Sequence, residues 1–178
     1  SSLSQNGVVF PDWSAWIESW LKDPYYVKIF EPVSNAIIQA LGSQLRQIVQ
    51  LDWRDLVDIE YRLERALREA LANADAWGNM HQAGRAVIVT WQIKKQADNA
   101  LEIVLHVIDE AAWAQSSNIV DLSLQPAGKN KLKPSGTYGG SGAGINEMRE
   151  SGLAVGAEPI ILAGQRIGTD FEISFNSA

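Results

Sequence analysis

The spacing of apolar positions changes once along the chain, near residues 77–84. Before that point apolar residues recur at helical spacing, and after it they alternate. Pro11 and Asp12 open a short helix with Asp12 as its N-cap. Trp13, Trp16, Ile17, Trp20 and Leu21 fall on one face of it, and Asp23-Pro24 stops it. A second helix is predicted from Pro32, a favoured first helical position. Its stripe is Val33, Ile37, Leu41, Leu45 and Ile48, interrupted by Gly42, a residue that costs ~1 kcal/mol relative to alanine inside a helix. The third helix is capped by Asp52 and presents Leu56, Ile59, Leu63, Leu67 and Leu71 to a core, with Ala66, Ala70 and Ala74 beside them. Glu64 and Arg68 form a favourable i,i+4 pair on its outer face. The helix is predicted to end within residues 73–78.

Period two then takes over. Val87, Val89, Trp91 and Ile93 alternate with Ile88, Thr90, Gln92 and Lys94. After a polar turn over residues 95–99, Leu101, Ile103, Leu105 and Val107 alternate again, which predicts an antiparallel hairpin with one apolar face. Ile88, Val104 and Ile108 on its other face predict partial cover there too. Residues 118–124 read as a further strand. Residues 159–162, a turn over residues 164–168, and the alternation of Phe171, Ile173 and Phe175 with Asp170, Glu172 and Ser174 predict a closing hairpin. The architecture these elements imply is α+β: N-terminal helices packed on an antiparallel sheet of two hairpins, about four to five strands in all.

Between the sheet segments lies a glycine-rich stretch, residues 126–157, which holds eight of the fourteen glycines. Connections longer than ~12–15 residues are uncommon inside a compact domain. The expected organisation is a single domain over residues 1–178, divided into an aromatic N-terminal helix (1–24), helices with the first hairpin and strand (25–125), the glycine-rich arm (126–157) and the closing hairpin (158–178).

Charge gives the arm a distinct character. The chain carries a net charge of −6, and residues 126–157, with four basic and two acidic side chains, are the one region with a positive balance. An acidic body with one basic arm argues against nucleic acid as a partner and suits docking of the arm on an acidic surface, such as that of a neighbouring copy. With no cysteine, disulfides, zinc–thiolate sites and thiol nucleophiles are excluded. No apolar run is long enough to span a bilayer, and no secretory signal is evident at Ser1, so a virion or host cytoplasm is the expected location and no membrane partner is expected.

The chain offers little for catalysis. His81 and His106 are its two histidines, and neither is accompanied by metal-ligand spacing. The stretch Gly139-Gly140-Ser141-Gly142-Ala143 departs from a nucleophile elbow at its last position, and no apolar helix pattern follows it. Read as a phosphate loop, the same glycines lack a preceding strand and a G-K-[ST] ending. The acidic groups Asp109-Glu110 and Asp55/Asp58/Glu60 are expected on solvated faces. The chain is therefore read as not an enzyme, with no cofactor and no metal.

What remains is a set of interaction devices. Trp13, Trp16 and Trp20 form either the packed face of a terminal helix or an anchor for a groove in another chain. Lys129, Lys131 and Lys133 alternate ahead of Tyr138, and with Arg149 they supply the arm's positive charge. These eight residues are the candidate interaction set.

The order of elements resembles the tail-terminator and neck proteins of tailed bacteriophages: helices, the long hairpin VIVTWQIKKQADNALEIVLHV, a loop, and a closing hairpin ending GTDFEISFNSA. The resemblance covers residues 53–125 and 158–178. It implies a small α+β structural subunit that forms a homo-oligomeric ring at a head–tail junction, with itself and neighbouring structural proteins as partners. It transfers no functional residue. The alternative class is a ligand-binding or enzymatic domain in which residues 126–157 close as a lid over Thr90, Gln92, Glu102 and His106.

Overall fold

A computed structural model of the chain describes residues 2–4, 7–10, 30–74, 86–97, 100–109 and 143–177. Its architecture is α+β, with helices layered on one face of an antiparallel sheet. The predicted tryptophan helix and the strand at residues 118–124 lie outside the described residues.

Helix α1 (Phe30–Ile48) begins two residues before Pro32, which sits in the first turn where its missing N–H is not needed. Phe30, Ile37, Ile38, Leu41 and Leu45 are buried. Ile48, placed on the core stripe by period alone, is 44% exposed. The helix ends there, and the next residue, Val49, takes the buried position. Helix α2 (Trp53–Asn73) starts as predicted, with the Asp52 carboxylate accepting the Arg54 N–H at 3.5 Å. Leu56, Ile59, Leu63, Leu67 and Leu71 all face the core.

The Glu64–Arg68 pair forms, but not on the outer face. Glu64 is buried between the two helices, where its carboxylate takes both Arg68 Nε at 3.0 Å and Arg68 Nη2 at 2.6 Å. It also accepts the Ser34 hydroxyl of α1 at 2.7 Å. Helical period fixes direction around one axis only, and the approach of α1 encloses this side of α2. The bidentate bond to Glu64 raises the pKa of Arg68, so the pair is fully ionised on the arginine side.

The sheet has six strands in the order β1-β2-β3-β4-β6-β5, every neighbouring pair antiparallel. They are β1 (Ser2–Ser4), β2 (Gly7–Phe10), β3 (Val87–Lys95), β4 (Leu101–Asp109), β5 (Ala154–Leu162) and β6 (Gln165–Asn176). The first hairpin is the one the alternation predicts, with Val89 opposite Val107 and Ile93 opposite Ile103. Two strands, β1 and β2, lie outside the predicted elements. They come from the first ten residues, ahead of the helices. β2 pairs with β3 and buries Val8 and Phe10 against the inner face. β2 reads Gly-Val-Val-Phe, which has no apolar–polar alternation to declare a strand.

The inner face carries Val87, Val89, Trp91, Ile103, Leu105, Ile173 and Phe175 against the helices in one core. Trp91 is 2% exposed, and its indole N–H donates to Gln44 Oε1 of α1 at 3.0 Å. Such a buried donor needs a partner, and this one also fixes helix to sheet. Asp109, expected in solvent, is 6% exposed because it closes the inward-facing parity of β4, opposite Thr169.

The glycine-rich stretch is not one arm. Its last fifteen residues, 143–157, contain helix α3 (Ala143–Glu150), a turn and the start of β5. A helix therefore does follow Gly142, against the expectation from its apolar pattern. Gly152, at φ +86°, ends it: Leu153 N–H donates to Met148 O at 3.1 Å and Gly152 N–H to Arg149 O at 3.0 Å. This is the paired hydrogen bonding of a Schellman cap, and Met148 and Leu153, the positions of its accompanying apolar pair, are both buried in the core at 3% exposed. Arg62 of α2 holds the turn from the other side, donating to Ser151 O at 3.1 Å while its guanidinium lies 5.9 Å from the Phe175 ring.

The closing turn is also tighter than predicted. β5 and β6 are joined by Ala163 and Gly164 alone, both at positive φ (51° and 77°), as a type I′ hairpin requires. Residues 165–168, expected in the turn, belong to β6.

Candidate functional site

Of the eight candidate interaction residues, Trp13, Trp16, Trp20, Lys129, Lys131, Lys133 and Tyr138 lie outside the described residues, as does His81. Arg149 is described. It is half-buried in the last turn of α3, and its carbonyl is part of the helix cap, so it belongs to the folded body rather than to an extended arm.

The lid hypothesis rests on Thr90, Gln92, Glu102 and His106, and the register brings all four to the outer face of the sheet, opposite the helices. Thr90 pairs directly with His106 across the hairpin. His106 lies across from Glu172, and its Nδ1 meets Asp170 Oδ1 at 2.9 Å, one step along the same face of β6. Asp170 is the residue that sequence reasoning misses here. Its alternation with Phe171 marks it as outward-facing, but nothing local says which strand lies beside β6. Ser174 Oγ donates to Glu172 at 3.3 Å, and Gln96 Nε2 to Glu102 at 3.2 Å. Among the described residues His106 bonds Asp170 alone, and no hydroxyl is bonded to its ring. Among the described residues no nucleophile is hydrogen-bonded to the pair. No three His, Asp or Glu side chains converge on a metal position among the described residues.

Two shallow grooves flank this polar line. One, of about 530 Å³, runs over β2 and β3 past Val9, Ile88, Thr90 and His106. The other, of about 340 Å³, runs along β5 and β6 and carries Glu158, Asp170 and Glu172. It exists because the β5 side chains beside it are small: Ala154, Gly156 and Ala157. Around Gly156 no atom stands within 4 Å of where a Cβ would be.

β5 is also an edge. Among the described residues it pairs with β6 alone. An edge strand presents unpaired backbone donors and acceptors, which proteins blunt with proline, charge or a bulge. Here the blunting devices cluster at the far end, as Glu158 and Pro159, followed by a register shift at Ile160 and Ile161 where β6 carries one extra residue. The first four residues, 154–157, are small or aliphatic and uncharged, and they border the acidic groove. Beyond the shift, Ile161 and Leu162 stand 62% and 65% exposed at the hairpin tip.

No helix among the described residues is long and apolar enough to cross a membrane. No known protein family matches the chain, and no curated protein matches it. A solved structure of a mycobacterial sensor histidine kinase, MprB, is similar at 20% identity and a TM-score of 0.41, over 66% of this chain and 71% of that one. So distant a likeness transfers neither fold nor activity.

Proposed function

We propose that this chain is a structural subunit that assembles with copies of itself into a ring or connector, in the manner of the phage tail-terminator and neck proteins it resembles. The observation that supports this is the border of β5 and β6, where the uncharged first four residues of a strand edge, 154–157, run beside a groove carrying Glu158, Asp170 and Glu172. The matching partner is in the same sequence. Residues 126–142 contain three lysines and no acid, and Lys129, Lys131 and Lys133 recur at the period that puts all three on one side of an extended strand. A neighbouring copy's segment added to the β5 edge gains backbone hydrogen bonds from the strand and charge complementarity from the groove.

Deletion of residues 129–142 tests this. The cut stops before Ala143 because α3 and its buried Met148 belong to the core. The shortened chain is expected to keep its circular dichroism and melting temperature while native mass and light scattering report a smaller assembly. Unchanged mass would remove the arm contact from the reading. The His106–Asp170 pair beside the larger groove supports the second reading, a ligand site under a lid. A monomeric chain whose residues 126–142 gain hydrogen-exchange protection on ligand addition would establish it.

A further inference from the structure

Gly156 is a glycine that neither the backbone nor the packing of this chain requires. It lies inside β5, and its φ is not positive, unlike those of Gly152 and Gly164. No atom stands within 4 Å of the place a Cβ would take. A glycine inside a strand weakens it, and one commonly marks a point where another backbone or a ligand approaches closely. The room over Gly156 is therefore room for something outside the chain.

The neighbours of that room are acidic. On the outer face Gly156 pairs with Glu172, Glu158 with Asp170 and Ala154 with Ser174. Glu158 and Asp170 are like charges directly opposite each other, an arrangement that weakens a strand pair. A cation beside them relieves it. His106 serves Asp170 from the β4 side, and no described residue serves Glu158. Glu172 is exposed and takes one hydrogen bond, from Ser174.

The free edge has a definite length. It begins at Ala154, and Pro159, which has no N–H to offer, bounds it, so residues 154–158 are open to addition. Residues 129–133 hold the three lysines at alternate positions and end at Pro134, so five residues meet five. With the two stretches centred on each other, Lys131 lies beside Gly156 whichever way the added strand runs. One flanking lysine then lies beside Glu158, the unserved acid. Asn130 and Leu132 turn to the inner side with Val155 and Ala157. Two strand spacings, about 10 Å, separate Lys131 of the added strand from Glu172, a gap that the stems of a lysine and a glutamate span together. The straight path crosses β5 at Gly156, and a side chain there would obstruct it.

We infer that Gly156 is the specificity-determining residue of the β5 edge: it opens a lane across the strand through which Lys131 of a neighbouring copy reaches Glu172. The lane presupposes the addition of residues 126–142 to that edge, as proposed above, and fixes its register. The same segment slipped by one residue would turn its lysines to the inner face. An extended chain without a cation at the central position would leave Glu158 and Glu172 beside it with nothing to offset them, which sets this segment apart from other strands.

Zero-length carbodiimide coupling joins a lysine only to a carboxylate in contact with it, so it reads the lane in the full natural chain. In an equal mixture of isotope-labelled and unlabelled chain, peptide mapping is expected to find Lys131 joined to Glu172 with labelled and unlabelled halves in one cross-linked pair. Gly156→Val is expected to lose that link and to fall, in sedimentation, to the mass of the chain lacking residues 129–142. Its melting temperature, at dilutions where the parent chain is a monomer, is expected to equal or exceed the parent's, because the new side chain meets open space. Gly156→Ala, the smaller obstruction, should assemble more weakly than the parent and more strongly than Gly156→Val. If the deletion lowers the mass while Gly156→Val keeps the parent's mass and link, the arm contact stands and the lane is overturned. If the deletion leaves the mass unchanged, the arm contact fails and the lane falls with it. A Lys131–Glu172 link found only within one chain overturns the lane, as does the absence of that link from an assembling parent. A lower melting temperature for Gly156→Val, or its failure to fold, also overturns it, since the glycine would then serve the chain's own fold.

Discussion

Gly42 and Gly152 show two different reasons for the same residue type. Gly42 sits inside α1 facing Glu60 of α2, and a Cβ there would overlap Glu60 Oε1 and lie 3.0 Å from the Glu60 carboxyl carbon. The obstacle is the far end of a flexible side chain, paired with the exposed Arg46. Moving it aside loses a surface ion pair worth ~0.2–1 kcal/mol, while alanine regains ~1 kcal/mol of helix propensity. Gly42→Ala is therefore expected to be neutral or stabilising by up to ~1 kcal/mol in urea denaturation. A measured destabilisation would mean that Glu60 has nowhere to go. Gly152 differs because its backbone, at φ +86°, is the constraint. Glu64 makes a related point about charge. The sequence marks it as surface by type and by its i,i+4 partner, yet it is buried because three donated hydrogen bonds, two from Arg68 and one from Ser34, satisfy its carboxylate.

At the scale of elements, α3 joins residues 126–142 to the core. Its Schellman cap needs the left-handed residue, and its apolar contact needs Met148 and Leu153. Gly152→Ala is expected to cost ~1–2 kcal/mol of global stability by forcing a Cβ into the left-handed region. Leu153→Ala is expected to cost ~2–5 kcal/mol as a buried leucine truncation. If both variants melt like the parent, α3 docks independently of the core and the boundary of the arm moves back toward residue 157. The cap is legible in the sequence: apolar Met148, then Ser151-Gly152-Leu153, is the spacing of the motif. Glycine abundance across residues 126–157 masks it, because composition averages over a span that holds one helix stop and one strand start.

For the whole molecule, the two ends of the chain and its middle make opposite contributions. β1 and β2 bring Val8 and Phe10 into the core and cover one edge of β3. Removing residues 1–10 is expected to lower stability by ~3–5 kcal/mol, a cost on the scale of a large buried aromatic. Removing residues 129–142 is expected to leave it unchanged. Equal melting temperatures for the two deletions would contradict this division between core and assembly segment.

Periodicity alone determined the α+β class, the second and third helices, both hairpins and the partition of β3, β4 and β6 into an inner and an outer face, because a side chain's direction repeats every 3.6 or every two residues whatever lies beyond the segment. It also placed Thr90, Gln92, Glu102 and His106 on one face. Three features depended on tertiary neighbours. The approach of α1 buried Glu64, β6 aligned beside β4 set Asp170 against His106, and the placement of β5 last in the sheet made it an edge. Each is a relation between segments far apart in sequence. A second apolar stripe on α2 belongs to both levels: its spacing is in the sequence, but only the packing of α2 shows that Leu56, Ile59 and Leu63 take the core and leave Trp53, Val57 and Tyr61 outside.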